Sequence, residues 1–177
     1  MKNIIATLAV AAVLTSPSML SGQEPVTGSL KGLHDITKQN VIATAEMVSE
    51  DLYGYQPTEE VRTMGGVLAH IANAQYMFCS AAAGESNPNS DNLEETLSAK
   101  AETVSALKAA FEYCDQTYAH MTDAAGAQMQ DFFGQKMAGS AILAFNSAHN
   151  YEHYGNLVTY MRLNGITPPS SMPQQSP

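Results

Sequence analysis

The chain has 177 residues, 8 Lys+Arg against 17 Asp+Glu, a formal net charge of −9, 45% hydrophobic residues and no Trp. That length supports one domain with its own core rather than two. The acidic balance, with arginine only at Arg62 and Arg162, excludes a nucleic-acid or anionic-lipid surface, which needs clustered cations.

The first residues read as a leader. Met1-Lys2-Asn3 is a short basic start, Ile4 to Leu14 an apolar run, and Thr15-Ser16-Pro17 the break that follows. This is the pattern of a secretory signal peptide, and the run is well short of the ~20 residues that span a bilayer. The small residues Ser21 and Gly22 put cleavage before Gln23, so residues 1–22 are the expected signal peptide. No cysteine stands after that site to take a lipid. The mature chain is therefore expected to be periplasmic or secreted, with no membrane anchor. Cys79 and Cys114 both lie in the mature part, where an oxidising compartment allows them to pair, and C-x-x-C spacing is absent.

Four helical segments follow. The first spans about 29–53, with apolar Leu30, Leu33, Val41, Val48 and Leu52, and Gly54 at the left-handed closing position. Thr58 is the expected cap of the second, with Glu59 and Glu60 in its first turn. Its stripe is Met64, Val67, Leu68, Ile71, Ala74 and Phe78, and it ends near Gly84. A polar loop from Gly84 to Ser90 leads to a third segment with Leu93, Leu97, Val104, Leu107, Phe111, Cys114, Tyr118 and Met121. Lys100 interrupts that stripe, so Asp91 to Leu97 can form a separate short turn. Thr122 to Gly139 is less regular, and no strand pattern stands out. The fourth helix spans about 140–164, closed by Gly165 with Pro168-Pro169 beyond. The reading is an all-α four-helix bundle over about 28–169, with a polar, Pro-rich tail at 170–177 expected not to pack.

Five histidines are present: His34, His70, His120, His149 and His153. His149 and His153 form H-x-x-x-H, which places two imidazoles one turn apart on one helix face, about 6 Å between Cβ atoms. His70 is in phase with Val67, Ala74 and Met77 and should share the inward side. Three neutral imidazoles from two helices would hold one ion and leave a coordination position open, as catalytic sites do. The ligand type suits zinc, nickel, iron or copper. From the residues alone, a solvated pair or hydrogen-bonded core histidines explain the pattern equally well. His34 and His120 have no partner at ligand spacing and read as ordinary. Glu152 lies about 100° round the helix from His153, so H-x-x-E-H reads poorly as a peptidase signature. No Glu precedes a His by three, as di-iron bundles require.

Helix two's Gly66-Val-Leu-Ala-His70-Ile and helix four's His149-Asn-Tyr-Glu-His153-Tyr-Gly-Asn-Leu-Val-Thr-Tyr-Met-Arg-Leu-Asn-Gly-Ile-Thr-Pro-Pro resemble the DinB/YfiT-like family. The resemblance covers roughly Leu30 to Pro169. It implies a bundle in up-down-down-up order and a divalent metal on His70, His149 and His153, zinc or nickel first, with iron or manganese also compatible. It also implies chemistry of the kind done by thiol-dependent transferases and isomerases that use bacillithiol, mycothiol or glutathione. With helices two and three parallel, as that order requires, Cys79 and Cys114 fall at comparable height, which favours a disulfide over two buried thiols. The leader departs from this pattern, because such thiols are cytosolic.

The expected function is a metal-dependent enzyme with hydrolase- or thiol-transferase-like chemistry on an unknown small molecule. A metal-binding or stress-related module without turnover is the alternative, and a plain structural bundle or dimerisation unit is the third reading. Asn146, Asn150, Tyr154 and Tyr160 are candidate supporting or substrate-contacting residues. Arg162 is read as pairing at the helix end, and a homodimer is compatible with the family.

Overall fold

The first helix, α1, runs Pro25–Met47 in a computed structural model that describes residues 24–173; residues 1–23, with the expected leader, and residues 174–177 lie outside the described residues. Proline is well placed at the start, where its missing N–H has no helical partner. The free N–H groups of Val26 and Thr27 donate to the Asp123 carboxylate at 3.2 and 2.8 Å. Those donors, Thr27 first, hold the Asp123 carboxyl below its usual range. The inward face of α1 differs from the expected apolar stripe: Leu33 is exposed, while His34, Thr37, Val41, Thr44 and Ala45 are buried. Thr37 and Thr44 make that possible by donating to their own helix, at His34 O and Asn40 O, both 2.9 Å. The helix also stops earlier than expected. A 3-10 turn, Glu50–Gly54, follows it, and the Tyr53 hydroxyl reaches back to Ala45 O at 2.6 Å.

Helix α2, Met64–Ala83, is capped by Thr63 rather than Thr58, with Thr63 Oγ1 accepting from Gly66 N at 3.0 Å. Thr63 directly precedes the apolar stripe, so a cap there wastes no turn. Gly84, at φ 72°, closes the helix in the left-handed conformation that glycine adopts without strain. The short turn anticipated before the third main helix exists as α3, Leu93–Thr96, capped by Asn92. Helix α4 follows at Lys100–His120. The irregular stretch holds α5, Asp123–Gly126, and an antiparallel hairpin of β1, Met129–Phe132, with β2, Gln135–Ala138. These four-residue strands carry no β-branched residue and are too short for an alternation signal, which is why the sequence did not reveal them. Helix α6, Gly139–Leu163, starts hard against the end of α2. A Cβ at Gly139 would lie 2.8 Å from the Ala82 carbonyl oxygen.

The architecture is all-α: α2 packs against α4 and α6, and α1 completes the bundle against the same two helices. From Arg62, just before α2, the contacts Arg62–Tyr160, His70–His153, Gln75–Asn146 and Phe78–Phe145 run in opposite sense along α2 and α6. Two apolar clusters fill the interior, one around Val67, Leu68, Ile71, Leu107, Phe111 and Leu157, the other around Phe78, Cys79, Cys114, Ile142 and Leu143. A buried polar layer separates them. Gln75 donates to Asn150 Oδ1 at 2.7 Å, and Asn146 donates to Gln75 Oε1 at 3.1 Å. Cys79 and Cys114 adjoin this layer as a bonded pair, Cα atoms 5.4 Å apart. Among the described residues no helix is long and apolar enough to cross a membrane.

Ser170 and Ser171, expected in the unpacked tail, are tied to the bundle. Pro169–Ser171 forms a 3-10 turn whose Ser170 N–H donates to the Tyr154 hydroxyl at 3.0 Å, and that hydroxyl donates to Ser170 Oγ at 2.9 Å. Tyr154 is buried and needs a partner for its O–H, and the polar tail supplies it.

His34, fully buried, meets Asp115 Oδ1 through Nε2 at 2.9 Å, and Lys38 pairs with the other carboxylate oxygen. Burial lowers the His34 pKa below 6.5, against the raising effect of Asp115. The unfolded chain therefore takes up a proton first as pH falls below about 6.5, and stability present above that pH is lost on acidification. His34→Gln is expected to lose less stability than the parent between pH 7.5 and 5.5, read as the shift in urea midpoint. An equal shift in both proteins would remove His34 from the acid response.

Candidate metal centre

His70 comes from the middle of α2, and His149 and His153 from successive turns of α6, so the antiparallel α2–α6 seam sets them opposite one another. His70 Nε2 lies 3.1 Å from His149 Nε2, and His153 Nε2 lies 3.0 Å from the same atom. One ring nitrogen from each of the three falls within 4.8 Å of the others. Ligand nitrogens at about 2.0–2.1 Å from a tetrahedral ion sit roughly 3.3 Å apart, close to this spacing. His70 is less inward than its phase suggested: its side chain is 23% exposed and Met77 is exposed beside it, so the centre lies at the rim of the seam.

Two residues not singled out from the sequence brace the centre. Glu94, on α3, accepts from His70 Nδ1 at 2.6 Å and from Arg62 Nε at 2.7 Å. A carboxylate on one ring nitrogen fixes the tautomer and turns the lone pair of the other outward, the usual support of a metal-binding histidine. Burial raises the Glu94 carboxyl pKa, but the Arg62 and His70 hydrogen bonds and charges outweigh it, and the net shift is down. Glu94 stands in the segment expected to be a short turn, 24 residues from His70, and only the fold brings the two together.

One proton on His149 Nε2 can serve only one of its two close contacts. With the His70 proton on Nδ1 toward Glu94, its Nε2 offers a lone pair to His149. If His149 Nε2 carries a proton, its buried Nδ1 is a bare acceptor; if Nδ1 carries it, two lone pairs face each other at 3.1 Å. His149 Nδ1 has no hydrogen-bond partner among the described residues in either case. A cation between the three Nε2 atoms accepts all three lone pairs at once, which no single hydrogen can do. The donor set thus fits a divalent ion. The rings are also suited to it in charge. Burial, then His153, His70 and Arg62, push the His149 pKa down to about 3, and burial and His70 likewise lower that of His153.

The other candidates fall elsewhere. Asn146 and Asn150 belong to the buried polar layer, Tyr154 holds the tail, and Tyr160 donates to Arg62 O at 3.0 Å. Arg162 reaches Ser171, as expected of a helix-end residue. His120 is exposed and bonds Gln116 O, and Glu152 is exposed. A cleft of about 600 Å³ opens beside His153, lined by Val61, Arg62, Val67, Asn156 and Tyr160, and one of about 300 Å³ lies on the His70 side.

The chain is 28% identical over 145 residues to the uncharacterized protein YjoA of Bacillus subtilis, covering 76% of this chain and 88% of that one. A DinB-like protein from Bacillus cereus superposes with a TM-score of 0.71 at 17% identity, over 80% of this chain and 95% of the other. A mycothiol-dependent maleylpyruvate isomerase superposes with a TM-score of 0.61 at 16% identity, over 74% of this chain and 60% of the isomerase. These structural likenesses establish the fold. A model of the DinB family matches residues 36–173, well over half of the sequence, and the chain belongs to that family.

Proposed function

We propose that the protein is an exported metal-dependent enzyme in which His70, His149 and His153 hold one divalent ion, zinc or nickel first. The observation that carries this reading is the convergence of three Nε2 atoms, two of them about 3 Å from the third, where one proton can bridge only one pair at a time. Such an ion supplies Lewis-acid chemistry and a more acidic nucleophile.

The protein's own residues do the rest. Glu94 keeps the His70 proton on Nδ1 and the Nε2 lone pair directed inward. Arg62, 45% exposed, braces Glu94 through Nε and lines the cleft beside His153. From there its charge can orient an anionic group of a small molecule. Tyr160 fixes the Arg62 backbone.

The reaction class we assign is hydrolytic or thiol-transfer chemistry. The mycothiol-dependent isomerase among the fold relatives supports thiol use. The leader read at residues 1–22 and the Cys79–Cys114 pair support an oxidising compartment, which favours hydrolysis.

The test is the open position. Cobalt(II)-loaded protein titrated with azide is expected to show a saturable shift of its visible band. A band indifferent to saturating azide would make the centre a closed, non-catalytic one.

A further inference from the structure

The hairpin carries an aromatic ring where the backbone disfavours one. Phe133, at φ 49°, is the one non-glycine residue with positive φ among the described residues, and Gly134 follows at φ 75°. A two-residue turn with both φ values positive is ordinarily Asn-Gly or Gly-Gly, because a bulky side chain is strained there. Phe133 gains little burial in exchange, being 66% exposed. Strain of this kind, kept without a packing return, is a feature of binding sites.

The ring is not isolated. It lies 4.3 Å from Phe132 and 6.3 Å from Phe78, both buried, while Phe145, 43% exposed, lies 5.3 Å from Phe78 and 5.7 Å from Phe132, centroid to centroid. Phe78 in turn sets its edge against His149 at 5.1 Å. Phe145 stands one turn before His149 on the same face of α6. Ring contacts therefore lead from the exposed turn, through buried Phe78, to the ring of a candidate ligand, with Phe133 and Phe145 as the exposed members.

We propose that Phe133 and Phe145, backed by Phe78 and Phe132, bind an aromatic or compact apolar group of the small molecule whose donor atom reaches the histidine centre. The assignment rests on the metal reading of His70, His149 and His153. A second copy of the chain is a poorer occupant. Two part-exposed rings offer on the order of 200 Å², against the roughly 800 Å² per partner of a stable interface.

The test uses benzohydroxamate and acetohydroxamate, which share a chelating head and differ in phenyl against methyl. Titrated into cobalt(II)-loaded protein, benzohydroxamate is expected to bind about tenfold tighter or more. In Phe133→Asn and Phe145→Ser the ratio is expected to fall toward one, with cobalt affinity retained. Phe133→Asn should also keep or raise the Tm, because Asn tolerates the left-handed conformation.

Equal affinity of the two hydroxamates for the parent protein, with a normal cobalt band, overturns the aromatic assignment and leaves the metal reading standing. Absence of a cobalt band overturns both. A lowered Tm of Phe133→Asn with an unchanged ratio makes Phe133 a part of the fold and overturns the proposal. Dissociation of a dimer by that substitution with the ratio unchanged gives the patch to a second copy and overturns it too.

Discussion

His149→Ala is expected to abolish stoichiometric binding of a divalent ion, whereas Glu94→Gln is expected to weaken it by about 10–100-fold while keeping one ion per chain. The difference follows from position. His149 Nε2 is the atom within about 3 Å of both other rings, so its loss leaves two nitrogens from different helices. Glu94 only holds His70 in its tautomer. Competition for zinc against a chromophoric chelator reads both. The ion-free His149→Ala protein is expected to unfold at the same or a higher temperature, because the side chain removed has a buried nitrogen without a partner. A Tm lowered by many degrees would mean that the histidines serve the fold instead.

The second large effect concerns the pair Cys79 and Cys114, 35 residues apart in sequence. A bond closing a loop of that length restricts the unfolded chain by about 3–4 kcal/mol. Cys79→Ala with Cys114→Ala is expected to lose stability of that order, measured by urea unfolding, and to keep its metal stoichiometry. Ellman's reagent on denatured, unreduced parent protein is expected to find no free thiol; two per chain would remove the bond from the account.

Much of this was legible in the sequence because it depends on period and caps. The stripe of α2, the glycine that ends it, and the one-turn spacing of His149 and His153 follow from helix geometry alone. The inward set of α1 was misread at Leu33 because Thr37 and Thr44 hide their hydroxyls in their own helix, so that polar residues line a core face. The cap moved from Thr58 to Thr63 because both are competent and only packing chooses between them. Glu94 and Arg62 were missed because their partnership with His70 is tertiary: nothing in the spacing of three residues on three segments announces a shared ion pair. The hairpin was missed because its four-residue strands lack β-branched residues and are too short to alternate, and with it the exposed ring of Phe133.

Whether the three histidines hold an ion is read most directly from the metal-to-chain ratio, by inductively coupled plasma mass spectrometry, of protein purified without a His tag or chelator. About one zinc or nickel per chain is expected, lost in His149→Ala. No bound ion in the parent, even after incubation with either metal and desalting, would contradict the metal reading.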